Sequence, residues 1–288
     1  MIVRAIGSYY SVRTAEGETF QCRARGRLKK DGISPAVGDR VEFTVHSGTE
    51  GVLETVAERD TYLARPPVAN VDQVVIVCAP QNPPLSLQLL DRLLVLAENR
   101  NLCALICLNK DDLPHDKEEE YLHTLYGRAG YKLLVTSAKL GRGISELQRE
   151  LCDRVSVLAG PSGVGKSSLL NRIQPGLRLR TGEISEKLKR GKHTTRHVEL
   201  LSLDCGGLVA DTPGFSQLDL TDVKREDLPL CFPEFVQIAH HCRFAGCMHK
   251  SEPDCAVKEA VASGEVAKSR YEHYLVFLEE VTAQERSY

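Results

Sequence analysis

Residues 160–167 read Gly-Pro-Ser-Gly-Val-Gly-Lys-Ser, a complete G-x-x-x-x-G-K-[ST] phosphate loop. No other stretch constrains the fold as tightly, because such a loop works only between a buried strand and the first turn of a helix. Glycines let backbone N–H groups wrap phosphates, and the helix N-terminus adds its dipole. The flanks supply both elements: VSVLA at 155–159 before the loop and SLLNRI at 168–173 after it. Further apolar runs, VVIVC at 74–78, LCALICL at 102–108 and KLLVT at 132–136, alternate with amphipathic segments, which is the pattern of a parallel sheet covered by helices. Leu89, Leu90, Leu93, Leu94 and Ala97 fall on one helical face between the first two. Past the loop, VELLSL and LVADT joined by Gly206-Gly207 read as a hairpin.

Within the loop, the backbone of Gly160, Pro161, Ser162, Gly163, Val164 and Gly165 is expected to cradle phosphates, with Ser168 beside them. Lys166 can reach the outer phosphates and the Ser167 hydroxyl can ligate Mg²⁺. Asp211-Thr-Pro-Gly214 follows a strand, so Asp211 can hold the same Mg²⁺ and the Gly214 N–H can meet a terminal phosphate. Two polar turns end strands upstream: Asn109-Lys110-Asp111-Asp112 and Ser137-Ala138-Lys139. Together they match the guanine-reading pair of GTPases, with Asp112 accepting hydrogen bonds from the ring N–H and exocyclic amine of guanine. Adenine lacks that pair of donors, and forfeiting two charge-assisted bonds at about 1.5–3 kcal/mol each selects GTP. In most GTPases the phosphate loop precedes these base-reading turns. Here Asn109 and Ser137 come before Gly160, so the order is circularly permuted.

At this point the chain closely resembles the RsgA family of bacterial small ribosomal subunit biogenesis GTPases. The likeness extends over nearly the whole chain and includes ANVDQ at 69–73, GPSGVGKSSL, GKHTTRH, DTPGF and a cysteine cluster near the C-terminus. It implies an OB-type β-barrel, a permuted α/β GTPase domain and a mostly helical zinc-binding domain, acting with GTP/GDP and Mg²⁺ in late maturation of the small subunit. It also implies that Thr195 supplies the second Mg²⁺ hydroxyl and senses the terminal phosphate, and that His193 orients the attacking water, as a base or by position alone. Phe215 stands where many GTPases carry a water-orienting glutamine, so the isolated protein should hydrolyse GTP slowly until a partner completes the site.

The ends of the chain read independently of that likeness. Residues 1–65 alternate apolar and polar residues in short runs, QCRARGRL, DRVEFTV and GVLETVAE, which suits a small β-barrel bounded by Arg65-Pro66-Pro67. Residues 66–219 read as the GTPase region, and residues 220–288 as a third region too small for a large core of its own. Cys242-x4-Cys247-x-His249-x5-Cys255 offers three thiolates and an imidazole, a set suited to one tetrahedral, structural Zn²⁺, with His240, His241 and Cys231 as nearby substitutes. The remaining cysteines sit mostly in apolar runs and read as buried thiols.

A net charge of -2 excludes a uniformly basic nucleic-acid binder but hides two basic runs: Arg23, Arg25, Arg27, Lys29 and Lys30, and then Arg178, Arg180, Lys187, Lys189, Arg190, Lys192 and Arg196. With the barrel they favour RNA as the partner, and the resemblance implies the small ribosomal subunit and its rRNA, with no DNA. The start, MIVRAIGSYY, has no leader pattern, and no run approaches a membrane span, so the expectation is a cytoplasmic monomer. Two other readings stay open: a GTP-responsive RNA-binding module with incidental hydrolysis, and a GTPase acting on a protein or metal-delivery partner.

Overall fold

The computed structural model describes residues 1–30, 32–64, 67–114, 118–177, 199–210 and 219–286. The chain divides into two compact units. One comprises Met1–Val74, Ile144–Ala159 and Lys166–Phe215, and the other Val75–Gly143, Gly160–Gly165 and Ser216–Tyr288.

In the first unit, strands β1 (Ile2–Ile6), β2 (Tyr9–Arg13), β3 (Thr19–Ala24), β4 (Val41–Ser47) and β5 (Glu50–Val56) form a sheet in the order β1-β2-β3-β5-β4. β3 runs parallel to β5 and the other pairs are antiparallel, the arrangement of an OB-type barrel. Ile2, Val12, Cys22 and Leu53 fill its interior. The backbone bonds Ile2 N to Asp39 O (2.9 Å) and Gly38 N to Ile2 O (2.8 Å) bring β1 beside the chain entering β4. The basic run expected as one strand and its turn is divided. β3 stops at Ala24, and α1 (Gly26–Lys30) takes its place because Leu28 turns inward and is buried. Pro67, expected to stop a strand, instead opens the short strand β7 (Pro67–Ala69), a position where its missing N–H costs no ladder bond. β7 pairs with β6 (Tyr62–Ala64).

The ANVDQ segment fastens this barrel to the rest of its unit. Asn70, in the left-handed region at φ 54°, accepts from Asp60 N (2.9 Å) and donates to the Gly38 carbonyl (2.9 Å). Asp72 accepts from Val155 N (2.7 Å), and the Gln73 amide donates to the Glu150 carbonyl (2.7 Å) and the Ser156 hydroxyl (2.9 Å). Ser156 belongs to β11 (Val155–Ala159), which is buried along its whole length and pairs in parallel with β13 (Leu208–Ala210). β13 pairs antiparallel with β12 (Leu200–Ser202), so the expected hairpin is present. Helices α4 (Ile144–Leu151) and α5 (Lys166–Ile173) pack on each other and bury Leu147, Leu151, Leu169, Leu170 and Ile173.

The second unit holds the strand order β10-β9-β8: β10 (Lys132–Val135), β9 (Cys103–Leu108) and β8 (Gln73–Cys78), which begins in the first unit. β10 and β9 are parallel from Lys132↔Leu105 to Val135↔Leu108. α2 (Leu87–Glu98) buries the predicted leucine face and also Asp91, Val95 and Leu96. α3 (Glu118–Arg128) follows β9. The C-terminal part consists of a 3-10 turn at Leu228–Cys231 and helices α6 (Pro233–Ala239), α7 (Ala256–Ser263) and α8 (Lys268–Glu285). It does not stand as a separate small core. Phe232, Phe235, Tyr274 and Phe277 are fully buried, and α8 packs on α2. Between them lies Arg270, 1% exposed, bonded to Asp91 (2.8 Å) and to both oxygens of Glu234 (2.7 and 3.0 Å). Tyr126 and His273 also meet Asp91, at 2.8 and 2.5 Å.

Gly38 sits at φ 91°, and a Cβ there would collide with the Ala69 carbonyl. Gly38→Ala should therefore destabilise the barrel by roughly 2–3 kcal/mol, from left-handed strain and overpacking together. Hydrogen exchange is the check: amides of β1 to β5 should lose protection while those of β9 and β10 keep theirs.

Candidate functional site

The base-reading turns and the phosphate loop meet in the second unit, and Asn109 joins them. Its backbone N–H continues the sheet by donating to Cys78 O (2.8 Å). Its buried side chain donates to the Val164 carbonyl of the phosphate loop (2.8 Å) and accepts from Ala138 N (3.2 Å) and the Thr136 hydroxyl (3.2 Å). One amide thus fixes three loops. Gly165 permits this approach, since at φ 100° its Cβ would strike the Asn109 amide nitrogen.

Asp112 is held ready as an acceptor. Its carboxylate takes a 2.6 Å hydrogen bond from the Ser137 hydroxyl, which is the main reason its pKa is depressed, and Lys139 Nζ stands 3.6 Å away. The side chain is 10% exposed and ionised at neutral pH. The Ser137 hydroxyl also accepts from Leu140 N (3.1 Å), closing the turn whose backbone pairs Ser137 with Arg142. Arg142 reaches back to the nearly buried carboxylate of Asp111, a tie between the two turns that a one-dimensional motif does not reveal. Lys110 adopts a left-handed backbone, φ 68°, and its ammonium donates to the Asn82 carbonyl.

Lys166 begins α5, with Ser167 and Ser168 in the same first turn, as the pattern requires. Burial lowers the pKa of the Lys166 ammonium. The hairpin strand β13 ends at Ala210, directly before Asp211 in the chain. Asp211, Gly214 and Phe215, the segment bearing His193 and Thr195, and the second basic run all lie outside the described residues.

A second cluster lies in the C-terminal part. The ligand atoms of Cys242, Cys247, His249 and Cys255 fall within 4.8 Å of one another. His249 Nδ1 is 3.7 Å from Cys242 Sγ and 3.4 Å from Cys255 Sγ, and the latter two sulfurs are 3.9 Å apart. A tetrahedral Zn²⁺ with usual bond lengths requires edges of about 3.8 Å between sulfurs and about 3.6 Å between sulfur and nitrogen. The donors therefore fit one zinc. Burial pushes the Cys247 thiol up to about 12, so a thiolate set here calls for a compensating cation. The supporting shell is specific. Tyr271 and Tyr274 donate to the carbonyls of His249 (2.7 Å) and Met248 (2.6 Å), and Glu252 accepts from the backbone of Met248, Lys250 and Ser251. The rings of His240 and His241 pack against each other at a 42° tilt instead, and Cys231 donates to Asp227 O, so none of the three joins the cluster. Of the other cysteines, Cys22, Cys78 and Cys107 are buried as expected, but Cys103 is exposed because it starts β9 on the outward-facing side.

The sequence profile of the RsgA GTPase domain matches residues 56–221, and that of the RsgA N-terminal domain matches residues 1–53. The chain belongs to the RsgA GTPase family. Its relative from Moorella thermoacetica, named small ribosomal subunit biogenesis GTPase RsgA, is 51% identical over 289 residues, covering 100% of this chain and 98% of the relative. The structure of YjeQ from Thermotoga maritima superposes with a TM-score of 0.87 at 41% identity, covering 98% and 97% of the two chains. That of YloQ, described as a circularly permuted GTPase, gives 0.85 at 38% identity, covering 98% and 94%. As an RsgA GTPase the chain is a GTP hydrolase that uses GTP/GDP and Mg²⁺. Among the described residues no helix is long and apolar enough to cross a membrane.

The metal geometry yields a test. Cys247→Ser should abolish stoichiometric zinc, measured by elemental analysis, and loosen residues 240–256 in hydrogen exchange. Protection in β9 and β10 should change little, because the shared aromatic core and Arg270 hold α8 on α2 without the metal.

Proposed function

We propose that this chain is a GTP-driven switch in late maturation of the small ribosomal subunit, and that it binds the subunit and its rRNA as a monomer in the cytoplasm, without DNA or membrane. What supports this reading is that Asp112 is held by Ser137 in the same unit where Asn109 bonds the phosphate loop, an arrangement suited to guanine. Family membership and the relatives' printed names support the ribosomal setting. The working division is an RNA-binding barrel at 1–65, a permuted GTPase domain at 66–219 and a zinc-binding domain at 220–288.

In this reading Asp112 reads guanine, while Asn109, Lys110, Ser137, Ala138 and Lys139 shape the base pocket. The backbone of 160–165 and the side chains of Lys166, Ser167 and Ser168 take the phosphates. Mg²⁺ bound through Ser167, Thr195 and Asp211 neutralises charge on the phosphates. Gly214 senses the terminal phosphate, and His193 orients or deprotonates the attacking water. Phe215 offers no polar group for that task, so free protein turns over slowly and docking on the subunit completes the site. Permutation puts the phosphate-sensing DTPG turn just before the zinc region, so loss of the terminal phosphate can reorient a ribosome-docking surface.

Asp112→Asn should weaken GTP binding about tenfold or more and improve binding of xanthosine triphosphate, whose C2 carbonyl can accept from an amide. A competition assay with unchanged GTP preference would take Asp112 out of this role. Sedimentation with small and large subunits in each nucleotide state tests the switch, which requires small-subunit binding that differs between GDP and a non-hydrolysable GTP analogue. Single-turnover hydrolysis on saturating small subunits tests the catalytic assignment: His193→Ala should bind normally yet lose about a hundredfold in stimulated rate, whereas Lys166→Ala should lose nucleotide binding too.

A further inference from the structure

The geometry points to Cys152 and Cys205 as a dithiol site that a low-molecular-weight disulfide oxidises to an intramolecular bridge, stapling the end of α4 to the β12–β13 turn. Both residues lie in the first unit and both are half-buried, within reach of a small reagent. Their sulfurs converge on one atom: Cys152 Sγ is 3.2 Å and Cys205 Sγ 3.9 Å from the Gln148 carbonyl oxygen. The sheet register explains why. Val155 of β11 is paired with Leu208 of β13, and Cys152 and Cys205 each precede those partners by the same three residues. Leu208 N donates to Arg154 O (2.9 Å), and Leu203 N to Gly207 O (2.8 Å), so the turn carrying Cys205 is fixed against the end of α4. The two side chains already meet in a hydrogen bond, the kind of contact from which a disulfide can close.

The Cys152 thiol is pushed up to about 11, first by its hydrogen bond with Cys205, so Cys152 serves as the resolving thiol. The Cys205 thiolate attacks one sulfur of the small disulfide, forming a mixed disulfide and expelling one small thiolate. That thiolate takes the Cys152 proton. Cys152 then attacks the Cys205 sulfur, closes the bridge and releases the second small thiolate, which takes up the proton Cys205 first gave to water. The two cysteines lose two electrons and the reagent gains them. The hairpin so pinned leads along the chain straight into Asp211-Thr-Pro-Gly214.

The test uses the full-length, zinc-loaded protein and glutathione disulfide, raised in concentration until exposed Cys103, which serves as an internal control, carries a glutathione adduct. Alkylation and peptide mapping without reductant should then find a Cys152–Cys205 linked peptide with no glutathione on either residue. Cys152→Ser should leave Cys205 as a stable glutathione adduct, because no second thiol resolves it. Separate adducts on Cys152 and Cys205, or two reduced cysteines beside a modified Cys103, would overturn the proposal.

Discussion

One side-chain amide holds the nucleotide-reading half of this protein in order. Asn109 continues the sheet through its backbone while its side chain binds the Val164 carbonyl and takes the Ala138 N–H. A neutral amide is the right group, since it must donate in one direction and accept in another within a buried space. Without it, two partners would be left unsatisfied, at about 1–3 kcal/mol each, and the guanine turns would lose their fixed distance from the phosphate loop.

The C-terminal part depends on a different kind of constraint. Its cysteines and histidine form a compact set that fits one zinc, and beside it the helices are tied to α2. Arg270 on α8 joins Asp91 on α2 to Glu234 on α6, with Tyr126 and His273 completing the contacts of Asp91. Breaking a buried ion cluster by removing one partner typically costs about 3–5 kcal/mol, because charges stay behind without compensation. An apolar replacement of the whole cluster could be equally stable. What the charges supply is a set of directed contacts between α8, α2 and α6.

The barrel is fastened by polar side chains in one short segment. Asn70 satisfies groups on the barrel, while Asp72 and Gln73 satisfy groups on β11 and the end of α4. Three neighbouring residues thus fix the barrel to the strand that leads into the phosphate loop.

The sequence by itself determined the chemistry-bearing turns and the sheet around them. A phosphate loop, the Asn109–Asp112 and Ser137–Lys139 turns and a four-residue cysteine–histidine set each depend on residue type at short, fixed spacing, and so they are legible in one dimension. β11 matches its apolar run residue for residue, and the β12–β13 hairpin follows from Gly206-Gly207. Tertiary structure alone decided the rest. Arg270 carries no local sign of burial, because its partners Asp91 and Glu234 lie 179 and 36 residues away. The break of the basic run into β3 and α1 turned on Leu28 entering the core, and ANVDQ showed its purpose only once its side chains met groups distant in sequence. Local spacing encodes which atoms can do chemistry, whereas the partners that satisfy buried polar groups are chosen by the fold, since only packing determines which charges and amides lose their water.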